Sequence, residues 1–388
     1  MKKDYEYIVL GLGGFGSAAA YWLSKRAGAE VLGLEQFELG HIRGESQDHS
    51  RIIRLSYHTP AYVELAKHAF RAWAQLEKDS GEHIVLKTGG LDLGPRVSAI
   101  PLTDYSGSMD AAGVSYETLD AKEIMRRWPP FRLTDGIHGL FQPESGIAMA
   151  ARGNAAHQRV AQELGATLRE RASVEAIRPL GGEIEIEAGG ERYRCRRLVI
   201  AAGSWSNRAL APFGVQLPLR VTQEQVTYFA TSRPADFQPG HFPIWIWMDE
   251  PCFYGLPILG EQGPKVGQHA GGREVTADTR TFEPDQAALG RVQDFLARYI
   301  PSALGPIIYT KSCLYTLTPD RDFVLDALPG FPNVVVAIGG GHGFKFASLI
   351  GRILSELAID GSTERNIQPF RLDRAALELA GPPKNYRM

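Results

Sequence analysis

Cysteine is scarce in this chain. Cys195, Cys252 and Cys313 are three in 388 residues, an odd number with no close pairing, so neither a disulfide framework nor a zinc site is indicated. Long apolar runs are missing as well: none approaches the ~20 residues that a membrane-crossing helix needs. Nor is there an excess of either charge. With 42 basic and 44 acidic residues the formal net charge is −2, which argues against general nucleic-acid or membrane-surface binding. The start, Met1-Lys-Lys-Asp-Tyr-Glu-Tyr7, leads straight into an apolar stretch. That leaves no room for a signal peptide, and a cytoplasmic protein is expected. No internal repeat or low-complexity segment is visible. What is present, 44% hydrophobic and 22% charged residues, is ordinary for a soluble globular enzyme. The length favours two domains over one core.

The most informative stretch runs from Tyr7 to Glu35. A strand-length apolar run meets Gly11-Leu-Gly13-Gly14-Phe15-Gly16, a G-x-G-x-x-G spacing. A helix-forming segment follows, with Ser17, three alanines, Tyr21, Trp22 and Leu23. A second apolar run, Val31 to Leu34, then ends in the acid Glu35. Each part has a physical task in binding a dinucleotide. Gly11 permits the tight turn off the strand, Gly13 lets backbone approach a pyrophosphate, and Gly16 lets the helix lie close on the sheet. The helix start offers free N–H groups and partial positive charge to phosphates. Glu35 can accept hydrogen bonds from a ribose. The motif does not say which dinucleotide.

Further along, Ala61 to Leu76 has helical spacing of apolar residues. Val85 to Gly94 reads as a strand pair. Asp120 opens a short helix that Pro129-Pro130 ends. Asn154 to Leu164 is an amphipathic helix, and Ala166 to Ile177 reads as one strand. Arg197 to Gly203 is a buried strand entering a glycine turn, followed by Ser204-Trp205-Ser206. Val221 to Ala230 and Ile244 to Gly255 alternate apolar and polar residues, as an antiparallel sheet does. Pro284 to Tyr299 is a helix with proline at its start. Phe323 to Asp326 and Asn333 to Ile338 are strands. Gly339-Gly-Gly-His342-Gly-Phe-Lys345-Phe-Ala leads into a helix from Leu349 to Ile359, and a polar tail with some helical character remains. Strand–glycine–helix units thus lie at both ends and in the middle, with antiparallel patterns between them. The expected architecture is α/β: a discontinuous Rossmann-like dinucleotide-binding domain with an inserted antiparallel-sheet domain.

Several stretches together resemble the monomeric sarcosine oxidase family of FAD-dependent amine oxidases, which includes N-methyltryptophan oxidase and pipecolate oxidase. They are Gly11 to Glu35, Arg51-Ile-Ile-Arg54, Gly146-Ile147, Ala202-Gly-Ser-Trp205, Tyr254-Gly255, Lys265-Val-Gly-Gln-His269, Cys313-Leu-Tyr315-Thr316 and Gly341-His-Gly-Phe-Lys345-Phe346. The resemblance runs over nearly the whole chain. It implies an FAD-binding domain from residues 1–88, 147–215 and 312–388, and a catalytic domain from 89–146 and 216–311. It implies oxidation of a secondary amino acid to an imine that water hydrolyses, with O2 reduced to hydrogen peroxide. It also implies a monomer whose partners are a small amino acid and O2.

Residue roles follow from the same resemblance. Cys313, otherwise a buried apolar thiol, would carry FAD through a covalent thioether. Cofactor contacts fall on Gly11, Gly13, Gly14, Phe15, Gly16, Glu35, Gln36, Ser50, Arg51, Val174, Gly203, Trp205, Gly341, Gly343, Phe344 and Lys345. Arg54 and Lys345 would hold the substrate carboxylate, a task that suits a guanidinium and fixes the reacting pose. Arg51 would face the flavin ring and favour its reduced, anionic form, as would the helix start at Gly343 to Lys345. Lys265 would present a fixed positive charge where oxygen is reduced, stabilising developing superoxide. His269, Tyr254 and Tyr315 would bind and orient the substrate amine, which must arrive as the free base. His342 is expected to be structural. No metal is implied.

Two stretches depart from the family pattern. The loop before Arg51 reads Glu45-Ser-Gln-Asp-His-Ser50, with Gln47 in place of a histidine and Ser50 in place of a threonine. Ile244-Trp245-Ile-Trp247-Met248 places two tryptophans in a strand expected to border the substrate, so Trp245 and Trp247 either line the pocket together or both pack in the core. Other readings stay open. The substrate is sarcosine, another N-alkyl or cyclic amino acid, or iminodiacetate. The acceptor is O2 or an electron carrier. An NAD(P)-dependent dehydrogenase would have no use for Cys313, and a flavin sensor would not be reduced by any amino acid.

Overall fold

The computed structural model describes residues 2–378. Its first sheet has a core of five parallel strands. In spatial order they are Phe331–Ile338, Glu191–Ile200, Asp4–Leu10, Val31–Leu34 and Thr167–Arg169. Val324–Leu328 is added antiparallel at one edge, and the hairpin Val174–Leu180 with Glu183–Ala188 extends from the first half of Glu191–Ile200. Parallel strands are covered on both faces and read as continuous apolar runs. Here alternate residues divide between two cores. Val9, Val31, Val199 and Val335 pack under the helices, whereas Ile8, Leu10, Leu32, Leu34, Leu198 and Ile200 pack with the hairpin.

The helices on that face are Gly14–Ala27, Ala150–Glu163 and Ala347–Asp360, with Pro60–Ser80 beyond them. Their ends follow local chemistry. The Thr59 side chain accepts from the Tyr62 N–H, Pro60 fills the first turn, and Gly81 closes the helix at φ 73°, the usual left-handed stop. Gly351 lies against the backbone of Ala18, where a Cβ would sit 2.4 Å from the Ala18 carbonyl carbon. This is how two central helices come to cross closely.

The second sheet has nine strands and is largely antiparallel. The path runs Arg273–Val275, Arg220–Phe229, Lys265–Gln268, Phe253–Leu256, Ile244–Trp247, Gly90–Pro95, Ile137–Gln142 and Glu117–Asp120, with Ile307–Leu317 paired along Arg220–Phe229. Its outer face packs on the helix Gln286–Tyr299 through Leu91, Leu93, Trp245, Trp247, Phe253 and Val266. A small three-stranded sheet is formed by Arg51–Ile53, Gly146–Ala148 and Val85–Lys87. An α/β dinucleotide-type fold carrying an antiparallel sheet is therefore what the chain forms.

Three local expectations differ from the structure. Ala166 to Ile177 is two strands, Thr167–Arg169 and Val174–Leu180, which pair with different neighbours. Arg171 sits between them at φ 55°, a left-handed conformation that ends an extended run. The helix expected from Pro284 begins at Gln286, because Asp285 is its cap and accepts from the N–H groups of Ala287 and Ala288. Val85–Lys87 and Gly90–Pro95 do not pair with each other but join different sheets.

Candidate active site

The glycine turn begins the site. Gly11 has φ 85°, and a Cβ there would lie 2.5 Å from the Ala201 carbonyl oxygen. A Cβ on Gly16 would lie 1.7 Å from the Gly11 carbonyl oxygen. No side chain fits at either position, so the helix starts directly against the strand end. The Ser46 hydroxyl accepts from the Gly14 N–H at 2.8 Å. Glu35 is 4% exposed, and its carboxylate accepts from the Leu12 N–H at 2.8 Å and the Phe37 N–H at 3.1 Å. Burial would raise its pKa. Hydrogen bonds from His41, Leu12 and Phe37 outweigh burial and hold it below the usual value. The carboxylate thus stays ionised beside the turn.

From here a cavity of about 480 Å³ runs along the strand ends to the second sheet. That volume lies in the range of small-molecule and cofactor sites. Gly11, Gly13, Gly14, Phe15, Glu35, Gln36, Val174, Gly203 and Trp205 line one part of it. Ser50, Arg51, Tyr254, Lys265, His269, Cys313, Tyr315, Gly341, Gly343, Phe344 and Lys345 line the other. Gly16 supports the turn from behind. Asn154 Oδ1 and His342 Nδ1 belong to cavity-lining residues, are buried, and have no hydrogen-bond partner among the described residues. Buried polar atoms are usually paired. A long, polar-edged cavity with a helix start, an acid and orphaned polar atoms fits a bound dinucleotide.

Sheet alternation builds the far wall. On Ile307–Leu317 the residues two apart, Lys311, Cys313 and Tyr315, share the cavity face. Tyr228 is the Cα partner of Lys265 and Val226 of Gly267. Gly267 pairs with Tyr254, Tyr254 with Ile246, and Ile246 with Asp92. The same alternation turns Trp245 and Trp247 the other way. Trp245 stacks on Phe295 with centroids 5.5 Å apart, and Trp247 lies 4.3 Å from Tyr299. Neither lines the cavity; Ile246 between them does. The pocket-lining expectation for the two tryptophans is corrected by the helix that covers their face.

Charged groups cluster at two places in this wall. Lys265 is 2% exposed. Its ammonium donates to the Ser50 carbonyl at 2.7 Å and pairs with Asp48 at 2.6 Å. Asp48 also accepts from the Tyr228 hydroxyl at 2.9 Å and lies 3.5 Å from Arg51 and 4.0 Å from Lys311. Burial pulls the Lys265 pKa down to about 8, against the attraction of Asp48. The Asp48 carboxyl is held far below its usual value, because Lys265 and Arg51 outweigh its burial. Arg51 itself donates to the carbonyls of Glu45, Gln47 and Ser50 at 2.9, 2.9 and 3.0 Å. It staples the loop that departs from the family pattern. Asp48, at φ 147°, is a non-glycine residue in a glycine-favouring region.

The second cluster holds Arg54, Asp92 and Lys345. Arg54 is 1% exposed and pairs with Asp92 at 2.9 Å. It lies in the wall behind the cavity, not on its lining. The Arg54 guanidinium and the Lys345 ammonium sit 5.0 and 5.6 Å from the centroid of the same Tyr57 ring. Burial and Arg54 lower the Lys345 pKa well below its usual value. His269 stands 5.6 Å from Tyr315, ring to ring, and burial together with Arg321 keeps its imidazole neutral. Burial raises the Tyr254 and Tyr315 phenols, so both stay protonated. Burial pushes the Cys313 thiol up to about 11, against the pull of Arg51. His342 faces Phe323 at 4.7 Å and lies 3.2 Å from the Arg321 carbonyl oxygen.

Sequence reasoning missed Asp48, Glu45, Lys311, Ile246 and Asp92. Lys311 was reachable, since it is two residues from Cys313 on one strand. Glu45, whose carboxyl burial pushes up to about 7 despite Thr316 and Arg51, lies in the loop already marked as unusual. Asp92 between Leu91 and Leu93 looks in sequence like a solvent-facing residue of an alternating strand.

Comparison with known proteins identifies the family. Residues 6–357 match the family described as FAD dependent oxidoreductase. The monomeric sarcosine oxidase of Arthrobacter sp. (strain TE1826) is 32% identical over 383 residues, covering 97% of this chain and 98% of that one. The N-methyl-L-tryptophan oxidase of Escherichia coli (strain K12 / DH10B) is 31% identical, covering 95% and 99%. Among solved structures, the open form of NikD, an unusual amino acid oxidase essential for nikkomycin biosynthesis, superposes with a TM-score of 0.84. It is 26% identical, and the match covers 95% of this chain and 98% of that one. The chain belongs to the FAD dependent oxidoreductase family and is a sarcosine oxidase-like, FAD-dependent amino-acid oxidase.

Proposed function

We propose that the protein oxidises a secondary, N-alkyl amino acid such as sarcosine at its CH–NH bond. The products are an imine, hydrolysed by water to an amine and an aldehyde, and hydrogen peroxide from O2. The observation that carries this is the single sheet face from which Lys265, Tyr254, Tyr315 and Cys313, with His269 just past a strand end, meet the cavity that Lys345 also lines. FAD, when bound, supplies the two-electron acceptor for the substrate and the donor for O2. The glycine turn and Glu35 would hold its nucleotide end, and Cys313 is proposed as the point of covalent attachment.

The remaining chemistry belongs to the chain. Lys345 draws the substrate carboxylate in, with Arg54 behind it adding positive potential. Neutral His269 and the protonated phenols of Tyr254 and Tyr315 offer hydrogen bonds to the amine without adding a positive charge beside it. They thereby favour the free base from which hydride can leave. Lys265 holds a proton and a positive charge where O2 gains electrons. Arg51 holds the 45–50 loop in place and faces the ring-binding part of the cavity. We further infer a division of labour along the two large sheets, with residues 1–88, 147–215 and 312–388 chiefly binding FAD and the rest forming the substrate side. The 311/312 boundary falls within Ile307–Leu317, so on this reading Cys313 would meet the cofactor from the antiparallel sheet. The likeness to monomeric sarcosine oxidases supports a monomer, and we propose the cytoplasm as its place.

The test is a panel of N-methyl and cyclic amino acids given to the purified yellow protein. Anaerobic bleaching of the flavin followed by peroxide release in air is the expected result. Bleaching without peroxide would move the function to a dehydrogenase using a carrier. No bleaching by any secondary amino acid would refute it.

A further inference from the structure

Asp92 is a carboxylate buried beside two cations in the wall of the proposed substrate site. It is 3% exposed. Its Cα partner across the sheet is Ile246, which lines the cavity, and Ile246 in turn pairs with Tyr254. Cross-strand partners point to the same face, so Asp92 is directed toward the cavity side and away from the helix Gln286–Tyr299. One oxygen accepts from Arg54 at 2.9 Å. The other, Oδ2, is buried with no hydrogen-bond partner among the described residues. Arg54 and Lys345 flank the Tyr57 ring, and of the three charged groups only Lys345 reaches the cavity lining.

The charges decide what this corner accepts. With the Lys345 ammonium charged against a bound carboxylate, Arg54, Lys345 and Asp92 together leave one positive charge for a ligand; Arg321, whose charge also reaches His269, is the same in wild type and every variant. One carboxylate neutralises it. A second carboxylate would bury an unbalanced negative charge near an Asp92 oxygen that has lone pairs but no donor, and such burial is costly.

We propose that Asp92 is a specificity-determining residue: by occupying Arg54 it restricts the site to amino acids with a single carboxylate and rejects dicarboxylates such as iminodiacetate. This rests on the proposed function, in which Lys345 receives a substrate carboxylate. N-methyl and cyclic monocarboxylic amino acids satisfy the restriction.

The experiment is equilibrium binding to the holoenzyme, followed by the change in the flavin absorption spectrum. The ligands are pyrrole-2-carboxylate and pyrrole-2,5-dicarboxylate. Each carries a ring N–H flanked by one or two carboxylates and cannot be oxidised as an amine. Wild type should bind the monocarboxylate at least about 10-fold more tightly, the effect of one partly screened charge. Asp92→Asn should shift the ratio of dissociation constants about 10-fold toward the dicarboxylate. The double variant Arg54→Gln/Asp92→Asn restores the original charge balance and should return the ratio to that of wild type. Equal affinities in wild type would overturn the proposal whatever the stability of the variants. So would an unchanged ratio in D92N, or a double variant that behaves like D92N. If neither ligand perturbs wild type and no secondary amino acid bleaches it, the function reading fails. If substrates bleach it but the ratio ignores Asp92, only this inference fails.

Discussion

Asp48→Asn separates the charge on Lys265 from its position. The Asp48 carboxylate stands 2.6 Å from the Lys265 ammonium, which burial pulls down to a pKa of about 8 even with that partner present. Two unit charges about 3 Å apart attract by about 5 kcal/mol at an effective dielectric constant of ~20. Loss of one buried partner costs about 3 kcal/mol after relaxation and water entry. At 1.36 kcal/mol per pH unit this lowers the Lys265 midpoint from about 8 to about 6. The sign follows from the ammonium being the active form: activity is full below the midpoint and lost as pH rises through it. The assay is the rate at which O2 oxidises the anaerobically reduced holoenzyme, by stopped flow from about pH 5 to about pH 10, a range that brackets both midpoints. Wild type should decline through about pH 8 and D48N through about pH 6, leaving D48N about 10-fold slower near neutrality. Lys265→Met should be slow and flat with pH, while its reduction by substrate changes little. Superimposable profiles for wild type and D48N would refute the charge argument. A K265M variant whose reduction slows as much as its reoxidation would refute the role of the lysine.

Three further outcomes are expected. Acid precipitation should leave the yellow colour in the pellet for wild type and release it to the supernatant for Cys313→Ala; colour in the wild-type supernatant would rule out covalent attachment. Gly16→Ala should yield protein with little bound flavin and a destabilisation of about 2 kcal/mol or more, because its Cβ would lie 1.7 Å from the Gly11 carbonyl oxygen; normal flavin content would show that the turn can open. Trp245→Phe should lower the melting temperature by loosening the stack on Phe295 and leave ligand affinity alone, whereas Ile246→Ala should change affinity. The reverse pattern in a paired thermal-shift and binding measurement would place the tryptophan in the pocket.

How much was legible beforehand depended on the range of the interaction. The glycine turn, Glu35 and the helix start at Asp120 follow from residues a few positions apart, where backbone geometry and capping leave few choices. The split of Ala166 to Ile177 was hidden because a left-handed arginine carries no sequence mark as glycine does. The shift of a helix start from Pro284 to Gln286 was hidden because proline and aspartate both serve near a first turn.

The sequence by itself determined the α/β class, the dinucleotide turn and the family, since each rests on spacing along the chain and on strings of residues recognisable in order. It also showed that Trp245 and Trp247 share a face, since strand alternation has a period of two. Which face they share was decided by the helix Gln286–Tyr299, a partner supplied only by packing. The same holds for the charges. Asp48 meets Lys265, and Arg54 meets Asp92, across long stretches of chain. Electrostatic partnership depends on distance in space and on burial, and only the tertiary structure sets either.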